Sequence, residues 1–536
     1  MRLLGTRPRI RRAPLAVAAI ALALLATATP SSAQADGPLT LTIDVGSDAG
    51  TVNADLGGFN WREGGTAVGP LEPGLVRMWS VDFSKITSAP GVYDWTLPDR
   101  HVAEIRSIGA TPLIVLVGRP PWSPTAGSAG YQEAVTAAMQ RYGVEQRPAG
   151  ARPTWFESGN EPEFPPTSHG QLLHDVPLDA AAQAGAVQTI EAAGEQIHWG
   201  GPGALFANFV TIESFALAGE AAGRTPDYLS WHSYTNQPLL GPDGAEFSDP
   251  VSAAGYEALK GTNPLATPRI IGMSSELVQV MAAPFTAPDG EPPDAVLTEW
   301  HLSSGGLDLR HDTAEGAAHT AGGLIEAQRT GTGAAAFFSA VDRHCDQPDD
   351  APDPMCGDWG TASADGVRKP VWWLFDWWRS MTGATVLDLT GDDPEGGLWA
   401  LASRDGDTVR VLVASFSVAT PTDRTITLEF GVPAASATVS RLADSGAAAP
   451  TSTSLDPGAL TFELPANRPV MVEVELASSG AAAPAAPDSA EATDTPTAQP
   501  TQRLPATGHD QRWSLLAAGA LALAALSGRV QKSRYE

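Results

Sequence analysis

Two glutamates of this chain each close a run of strand-forming residues and lie far apart in the sequence. Glu161 ends the segment Thr-Trp-Phe-Glu-Ser-Gly-Asn-Glu, and Glu299 ends the segment Ala-Val-Leu-Thr-Glu. Carboxyl groups at the ends of distant strands meet when a folded barrel brings those strand ends to one mouth. One carboxyl group that donates a proton and a second that attacks are the usual means of cleaving a glycosidic bond. The pair therefore predicts glycoside chemistry.

Strand-like runs alternate with amphipathic helical runs, which is the pattern of a parallel α/β sheet. Eight strand-like runs are predicted, over residues 56–61, 75–79, 111–117, 154–160, 198–203, 228–234, 295–300 and 334–341. Helices are predicted over residues 98–108, 133–142, 179–193, 206–222, 313–329 and 371–381. Eight such units favour a single (β/α)8 TIM barrel. A doubly wound open sheet is the alternative, but no glycine-rich dinucleotide fingerprint follows the first strand.

In a barrel of this kind, catalytic groups sit at the carboxyl ends of the strands. Glu161 closes the fourth predicted strand and Glu299 the seventh. Asn160 precedes Glu161, and its amide could bind a sugar hydroxyl as charge develops on the ring. His232 and Tyr234 end the sixth strand two residues apart, and therefore on one face. Either side chain could hold the Glu299 carboxylate ionised and oriented.

Other side chains near the predicted strand ends have both a binding and a structural interpretation. Trp79, Trp122 and Trp300 could stack against sugar faces, although the first two could equally pack at the barrel rim. Arg77 could orient a catalytic carboxylate or form a structural salt bridge. We therefore include all four in the predicted substrate-binding set.

The motifs together resemble the retaining glycosidases of clan A. They are Asn-Glu-Pro after strand four, His-x-Tyr on strand six and Thr-Glu-Trp on strand seven. Within that clan, the segments 75–79, 228–234 and 297–300 are most similar to glycoside hydrolase family 39. That family joins a (β/α)8 barrel to a β-sandwich and includes β-xylosidases and α-L-iduronidases. The resemblance runs from about residue 56 to 475 and implies Glu161 as acid/base and Glu299 as nucleophile.

The chain departs from the family pattern at three positions. Gly159 stands where many members have Trp, Trp79 where family xylosidases tend to have His, and His301 where Asn is common. These positions surround the expected sugar site. The departures therefore bear on which sugar is bound more than on the reaction.

The pattern of predicted secondary structure changes from about residue 383. Short strand-like runs over 397–403, 408–415, 425–430, 437–441 and 469–475 alternate with turn residues, which predicts a small antiparallel β-sandwich. The run 39–45 could join it. We predict a barrel domain over 36–383, a sandwich over 384–476 and a disordered Ala/Pro/Thr-rich spacer over 477–503.

The N-terminus is typical of an export signal. Five arginines within the first twelve residues precede an Ala/Leu-rich run over 15–26, and Ala33-Gln-Ala35 offers small residues for cleavage. This apolar run is shorter than the roughly 20 residues that a spanning helix needs. Residues 1–35 are therefore predicted to be removed, and the export route stays open.

The C-terminal residues 504–536 resemble the cell-wall sorting signal of Gram-positive bacteria. Leu504-Pro-Ala-Thr-Gly508 is followed by an apolar run and a basic tail. The resemblance implies that a sortase transpeptidase cuts between Thr507 and Gly508 and joins Thr507 to peptidoglycan. A simple membrane anchor is the alternative, and the basic tail fits a cytoplasmic stop in either case.

The charge and the cysteines exclude other classes of function. A formal net charge of −28 argues against nucleic acid as a partner. In an exported protein, Cys345 and Cys356 are typical of one disulfide across a short loop. The aspartates of that loop could hold calcium, although a solvated loop is expected because no EF-hand spacing occurs. No His/Cys cluster supplies a metal site, and no cofactor is predicted.

The sequence therefore predicts a secreted, cell-wall-anchored retaining glycosidase of xylosidase or arabinosidase type, with a carbohydrate as substrate. For that mechanism the two carboxyl groups should lie about 5–5.5 Å apart, against roughly 9 Å in an inverting enzyme. A surface carbohydrate-binding or adhesion protein on a catalytically inactive barrel is one alternative. A glycosidase that acts on the cell's own wall glycans is another.

Overall fold

The computed structural model describes residues 38–164, 170–235, 267–305, 308–343, 358–418, 421–447, 451–453 and 458–477. The predicted export signal, the spacer beyond residue 477 and the sorting signal with Thr507 and Gly508 lie outside these residues. The predicted disulfide of Cys345 and Cys356 also lies outside them. Among the described helices, none has the length and apolar character that crossing a membrane requires.

The first strand, β1 (Leu39–Asp44), pairs outside the barrel, and the chain then builds eight parallel strands that close on themselves in chain order. A small hairpin, formed by β4 (Thr87–Ala89) and β5 (Val92–Tyr93), follows the second barrel strand. The barrel strands with this hairpin are β2 (Gly58–Asn60), β3 (Leu75–Asp82), β4 (Thr87–Ala89), β5 (Val92–Tyr93), β6 (Thr111–Val117), β7 (Trp155–Ser158), β8 (His198–Ala204), β9 (Tyr228–Tyr234), β10 (Asp294–His301) and β11 (Ala334–Phe337). The predicted fold class is confirmed.

Apolar side chains fill the barrel towards the amino ends of its strands, and polar side chains line it towards the carboxyl ends. All seven residues of β6 and all seven of β9 are buried, as expected of parallel strands covered on both faces. One interior cluster consists of Leu75, Leu113, Val115, Val117, Trp155, Tyr228, Val296 and Ala334, most of them in the amino-terminal halves of their strands. The polar side chains that follow these residues along the same strand faces therefore point into the mouth.

Helices cover the outside of the barrel. They are α1 (Phe83–Ile86), α2 (Thr96–Ser107), α3 (Ala129–Met139), α4 (Val176–Glu191), α5 (Phe209–Ala221), α6 (Arg269–Ala282), α7 (Ala314–Arg329) and α8 (Pro370–Met381). Short 3-10 turns occur at Ala54–Gly57, Gly65–Leu71, Leu173–Asp175 and Leu309–Asp312, and a π-helical turn at Gln140–Glu145 extends α3. The sequence prediction overlaps every longer helix except α6.

A mostly antiparallel β domain follows the barrel. Its strands are β12 (Thr385–Thr390), β13 (Leu398–Asp405), β14 (Thr408–Ser415), β15 (Arg424–Glu429), β16 (Ala434–Ala443), β17 (Gly446–Ala447), β18 (Thr451–Thr453), β19 (Ala459–Leu464) and β20 (Pro469–Leu476). The early strand β1 completes the sheet by pairing antiparallel with β12 and parallel with β15. An apolar core lies between the two halves of this curled sheet, and it includes Ile43, Val411, Ile426 and Val472.

Helix α7 fixes the β domain to the barrel, and the described residues of both belong to one compact unit. The indole N–H of Trp399 donates to the Glu326 carboxylate of α7 at 2.7 Å. The His319 ring of α7 packs edge-on against Phe416 with 5.2 Å between ring centroids. The ring of Trp300 in β10 packs against Gly323 of the same helix, so α7 contacts both the β domain and a barrel strand.

Candidate active site

The two glutamates meet inside the mouth of the barrel. Glu299 lies in β10 and Glu161 directly follows β7, and both side chains reach the carboxyl ends of the strands. An oxygen of one carboxylate lies within 4.8 Å of an oxygen of the other. Glu161 is 7% exposed and Glu299 is 4% exposed. The strand arrangement therefore brings together the two groups that the sequence singled out.

The backbone at Glu161 aims its carboxyl group into the mouth. Glu161 has a φ of 42°, in the left-handed region that few residues other than glycine adopt. Its amide donates to the carbonyl oxygen of Gly203 in β8 at 2.7 Å. This uncommon backbone conformation is thus fixed by a bond to the neighbouring strand, a pattern that is frequent at functional sites.

His232 in β9 contacts both carboxylates. Its Nδ1 lies 2.8 Å from Glu161 Oε1 and 3.6 Å from Glu299 Oε2. Burial by itself lowers the pKa of His232, but the negative charges of Glu299 and Glu161 outweigh it and raise the pKa above the ordinary value. A charged His232 can therefore stabilise the negative charge of both glutamates.

Tyr234, two residues further along β9, donates its hydroxyl proton to Glu299 Oε2 at 2.7 Å. Burial, and next to it the charge of Glu299, raise the pKa of Tyr234 well above its ordinary value. The phenol therefore stays protonated and acts only as a donor to the carboxylate. Its bond fixes one oxygen of Glu299 and leaves the other to Arg77.

Arg77 in β3 lies beneath both glutamates and is fully buried. Its Nη1 donates to Glu299 Oε1 at 2.6 Å and to Asn60 Oδ1 at 3.1 Å, and its Nη2 donates to Asn160 Oδ1 at 2.9 Å. Its Nε donates to Glu157 Oε2 at 2.5 Å. Burial opposes the charge, but the two carboxylates raise the pKa of Arg77 above its ordinary value. The guanidinium is therefore a fixed cation that orients the attacking carboxylate.

Sequence reasoning missed two members of this network, Glu157 and Asn60. A signal for Glu157 existed, since it lies two residues from Trp155 in β7 and so shares the inward face of that strand. Asn60 ends β2, and its amide nitrogen donates to the carbonyl oxygens of Thr298 and Ala336 at 2.9 and 3.0 Å. Asn60 lies near the end of the first predicted strand, 56–61, so its position at a strand end was the signal that could have found it.

Both the backbone conformation and the packing at position 159 require glycine. Its φ of 71° is in the left-handed region, and a Cβ there would lie 1.8 Å from Gln171 Oε1. Gln171 is itself buried and bonds Asp179 at 3.2 Å. The glutamine thus occupies the space into which a larger residue before Asn160 would point.

Two of the three predicted tryptophans lie on the mouth side of the barrel. Trp79 is half-buried, with its indole N–H donating to Asn60 Oδ1 at 3.3 Å and the Arg77 guanidinium 4.5 Å from its ring centre. Trp122 lies in the loop after β6 and donates to Thr87 Oγ1 at 3.1 Å. Trp79 therefore borders the carboxylate network directly, whereas Trp122 belongs to the rim.

The structure places Trp300 away from the mouth, contrary to the sequence prediction. Neighbouring residues of a strand point to opposite sides, so the residue after Glu299 faces the helices. Trp300 is 1% exposed, and its ring packs edge-on against Phe337 at 5.2 Å and against Gly323 of α7. His301, expected near the sugar site, packs against His311 at 3.9 Å between ring centroids.

The same groups form the one set of described side chains whose ligand atoms are close enough for a metal ion. One atom each of Glu161, His232 and Glu299 lie within 4.8 Å of one another. The bonds from His232, Tyr234 and Arg77 account for this closeness without an ion. What the arrangement can do is hold one carboxyl group ionised while the other exchanges a proton.

Comparison with known proteins identifies structural relatives only. No protein-family model and no curated protein sequence matches the chain. Among solved structures, a GH39 enzyme from Xanthomonas axonopodis pv. citri is similar, with a TM-score of 0.60 at 17% identity, 84% of this chain and 100% of that chain being covered. A glucosidase from Croceicoccus marinus has a TM-score of 0.59 at 18% identity, with 83% and 100% covered.

A monomeric β-xylosidase from Caulobacter crescentus CB15 is also similar, with a TM-score of 0.61 at 18% identity, 82% of this chain and 99% of that chain being covered. At these identities the likeness concerns the fold. The chain therefore has the architecture of these enzymes over nearly their whole length: a (β/α)8 barrel joined to a β domain.

Proposed function

We propose that this protein is a retaining glycoside hydrolase, similar to family 39, that cleaves O-glycosidic bonds by double displacement. The observation that carries the proposal is the separation of the two carboxylates, whose oxygens come within 4.8 Å of each other. Retaining enzymes need about 5–5.5 Å between the carboxyl groups, whereas inverting enzymes need about 6.5–9.5 Å to admit a water molecule.

In the first step, a Glu299 oxygen forms a bond to the anomeric carbon as the bond to the leaving oxygen breaks. Protonated Glu161 donates its proton to that leaving oxygen. Tyr234 and Arg77 hold the two oxygens of Glu299 at 2.7 and 2.6 Å, which fixes the direction of attack. The products of this step are a glycosyl ester of Glu299 and the free alcohol.

In the second step, ionised Glu161 takes a proton from water, whose oxygen attacks the anomeric carbon and releases the Glu299 carboxylate. His232 lies between the two glutamates and favours negative charge on whichever carries it. The Asn160 amide, held by Arg77, is positioned to bond a sugar hydroxyl next to the reacting carbon. Trp79 offers a ring against which the sugar can stack.

We further propose that the enzyme acts outside the cell, anchored to the wall through Thr507, on a xylose- or arabinose-containing oligo- or polysaccharide. The export and sorting sequences support the location, and the resemblance of the motifs to family 39 supports the substrate class. Deleting residues 504–536 tests the anchor, because the enzyme should then appear in the medium. Retention of the truncated protein in the wall fraction would contradict the anchoring.

The experiment that tests the activity is hydrolysis of a panel of aryl glycosides by the mature protein, with the anomer of the first product determined by NMR. We expect turnover with net retention, and a loss of at least ~10³-fold in Glu299→Gln. Glu161→Gln should lose much less on substrates with good leaving groups, since these need no proton. Net inversion would refute the double displacement.

The same panel separates the alternatives. A wild-type protein that binds oligosaccharides but turns over no glycoside would be a surface carbohydrate-binding protein. Turnover of wall glycans from the producing cell, with none on plant arabinoxylan, would indicate a wall-remodelling enzyme with the same chemistry.

A further inference from the structure

We propose that Glu157 is a positioning residue that shares Arg77 with the nucleophile Glu299 and thereby sets the reactivity of that nucleophile. The inference rests on the proposed function. Arg77 donates to Glu157 Oε2 at 2.5 Å through Nε and to Glu299 Oε1 at 2.6 Å through Nη1. One cation thus serves two carboxylates, of which only one reaches the reacting sugar.

Glu157 is suited to this role because it is buried under the site. It is 0% exposed, and within the described residues its Oε1 has no hydrogen-bond partner. A buried carboxylate is costly unless a charge partner compensates it, and Arg77 is that partner for Glu157. The charge of Glu157 is therefore coupled to the site by a single bond.

The neighbouring strand β8 runs close to this carboxylate. Gly203 has a φ of 60°, and a Cβ there would lie 3.4 Å from the carboxyl carbon of Glu157. A Cβ at Gly200 would lie 2.3 Å from the carbonyl oxygen of Tyr228. The glycines of β8 thus let the strand run close to Tyr228 and to the Glu157 carboxylate, so that Glu157 lies tightly enclosed inside the barrel.

The consequence appears when Glu299 changes charge during the reaction. Glu299 is an anion before attack and a neutral ester afterwards. With Glu157 present, Arg77 keeps an ionic partner in both states. Without the charge of Glu157, Arg77 would stabilise free Glu299 more strongly and be left less compensated in the ester. Loss of that charge should therefore slow ester formation, and leave ester hydrolysis unchanged or faster.

Glu157→Gln isolates the charge, because the amide oxygen can still accept the bond from Arg77. The two steps can be measured separately with a 2-deoxy-2-fluoro glycoside that carries a good leaving group and the sugar that wild type cleaves. Its inactivation rate reports ester formation, and its reactivation rate reports ester hydrolysis. We expect the inactivation rate of Glu157→Gln to fall about tenfold or more, with an unchanged or raised reactivation rate.

Two further variants separate this role from a structural one. Glu157→Asp keeps the charge and should retain a ratio of the two rates closer to the wild-type value than Glu157→Gln does. Asp227→Asn removes a carboxylate from Arg224, which it bonds at 2.9 Å just before β9 at the opposite end of the barrel. That variant should lose stability without a change in the ratio.

Equal slowing of both steps in Glu157→Gln, or a wild-type ratio in that variant, would overturn the inference. Should Glu157→Gln not fold, Glu157→Asn replaces it as the neutral partner of Glu157→Asp: a ratio more altered in Glu157→Asn than in both Glu157→Asp and Asp227→Asn supports the coupling, and an equal ratio in all three refutes it. The inference and the proposed function fail separately. A wild-type protein that hydrolyses no glycoside refutes the function, whereas normal wild-type turnover with no effect at Glu157 refutes only the inference.

Discussion

At the residue scale, the two glutamates differ in their partners, and this difference assigns their proposed roles. Glu299 accepts bonds from Tyr234 and Arg77, both of which favour its ionised form. Glu161 lies 2.8 Å from His232 Nδ1. Carboxyl groups that share a site but differ in environment take different parts in acid–base chemistry. The anion-stabilising partners therefore favour Glu299 as the nucleophile.

Tyr234→Phe should lower kcat/KM by about tenfold to a hundredfold, because Glu299 loses the donor that fixes one of its oxygens. Tyr228→Phe is the matched control. It is another buried tyrosine of β9, but its hydroxyl donates to the carbonyl oxygen of Phe156 at 2.9 Å and not to a carboxylate. Steady-state kinetics of both variants test this. A loss at Tyr228 as large as at Tyr234 would show that the effect is structural.

Gly159→Ala should lower the free energy of unfolding by about 1–3 kcal/mol. The alanine would have to adopt a left-handed φ and displace the Gln171 amide, whose oxygen lies 1.8 Å from the new Cβ. Urea denaturation measures the change. The double variant Gly159→Ala with Gln171→Gly removes the collision but keeps the strained φ, so it should recover part of the loss. No recovery would mean that backbone strain alone accounts for the loss.

The sequence predicts the reacting residues better than it predicts the residues that hold them in place. Glu161 and Glu299 can be identified from the sequence because acidic residues rarely end apolar strands. His232 and Tyr234 can be identified because they lie on one face of the same strand. Trp300 was misassigned because proximity in sequence to Glu299 was given more weight than the alternation of the strand. Support from other strands, such as Asn60, depends on contacts across the barrel that no local pattern reveals.

At the element scale, fully buried runs were predicted most accurately, and some half-exposed or interrupted runs were missed. The strands β6 and β9 were predicted with the ends that they have in the structure, since every residue in them is buried. Helix α6 was missed because Gly272 and a pair of serines interrupt its apolar stripe. In the β domain β12 was missed, a strand whose second half is partly exposed and contains Asp388.

Gly323→Ala in α7 should destabilise the protein by about 1–2 kcal/mol, because the close packing outweighs helix propensity. A helical Gly→Ala change gains about 1 kcal/mol, but a Cβ at Gly323 would lie 2.8 Å from the Trp300 ring and 2.6 Å from Ile271. Gly185→Ala in α4 is the control, since its nearest atom is the movable Gln132 amide. Thermal unfolding should show opposite signs, and stabilisation by both would contradict the packing argument.

At the scale of the whole molecule, the β domain takes strands from both sides of the barrel sequence and meets the barrel through α7. Beside this interface lies a group of buried histidines that sequence patterns could not identify as neighbours. The rings of His301 and His311 pack edge to face with 3.9 Å between their centroids, and His319 lies against Phe416. Burial, followed by nearby positive groups, lowers the pKa of His301 and His311 well below the ordinary value. The core is thus built for neutral imidazoles.

His319 makes this core sensitive to acid. Burial, and then the charge of Arg310, lower the pKa of His319 to about 3. In the unfolded chain the imidazole binds a proton as pH falls below about 6.5, whereas the folded state does so only near pH 3. The unfolded state therefore binds more protons in this window, and stability is lost as pH falls through it. One histidine accounts for about 1.4 kcal/mol per pH unit.

His319→Leu should remove this loss, since leucine does not titrate and both ring nitrogens of His319 lack a hydrogen-bond partner among the described residues. At pH 5 the variant should exceed wild type in the free energy of unfolding by about 2 kcal/mol more than it does at pH 8. His174→Gln, at an exposed histidine, is the control substitution. Urea denaturation at both pH values measures these differences. A pH dependence of His319→Leu equal to that of wild type would mean that His319 does not stay neutral in the folded protein.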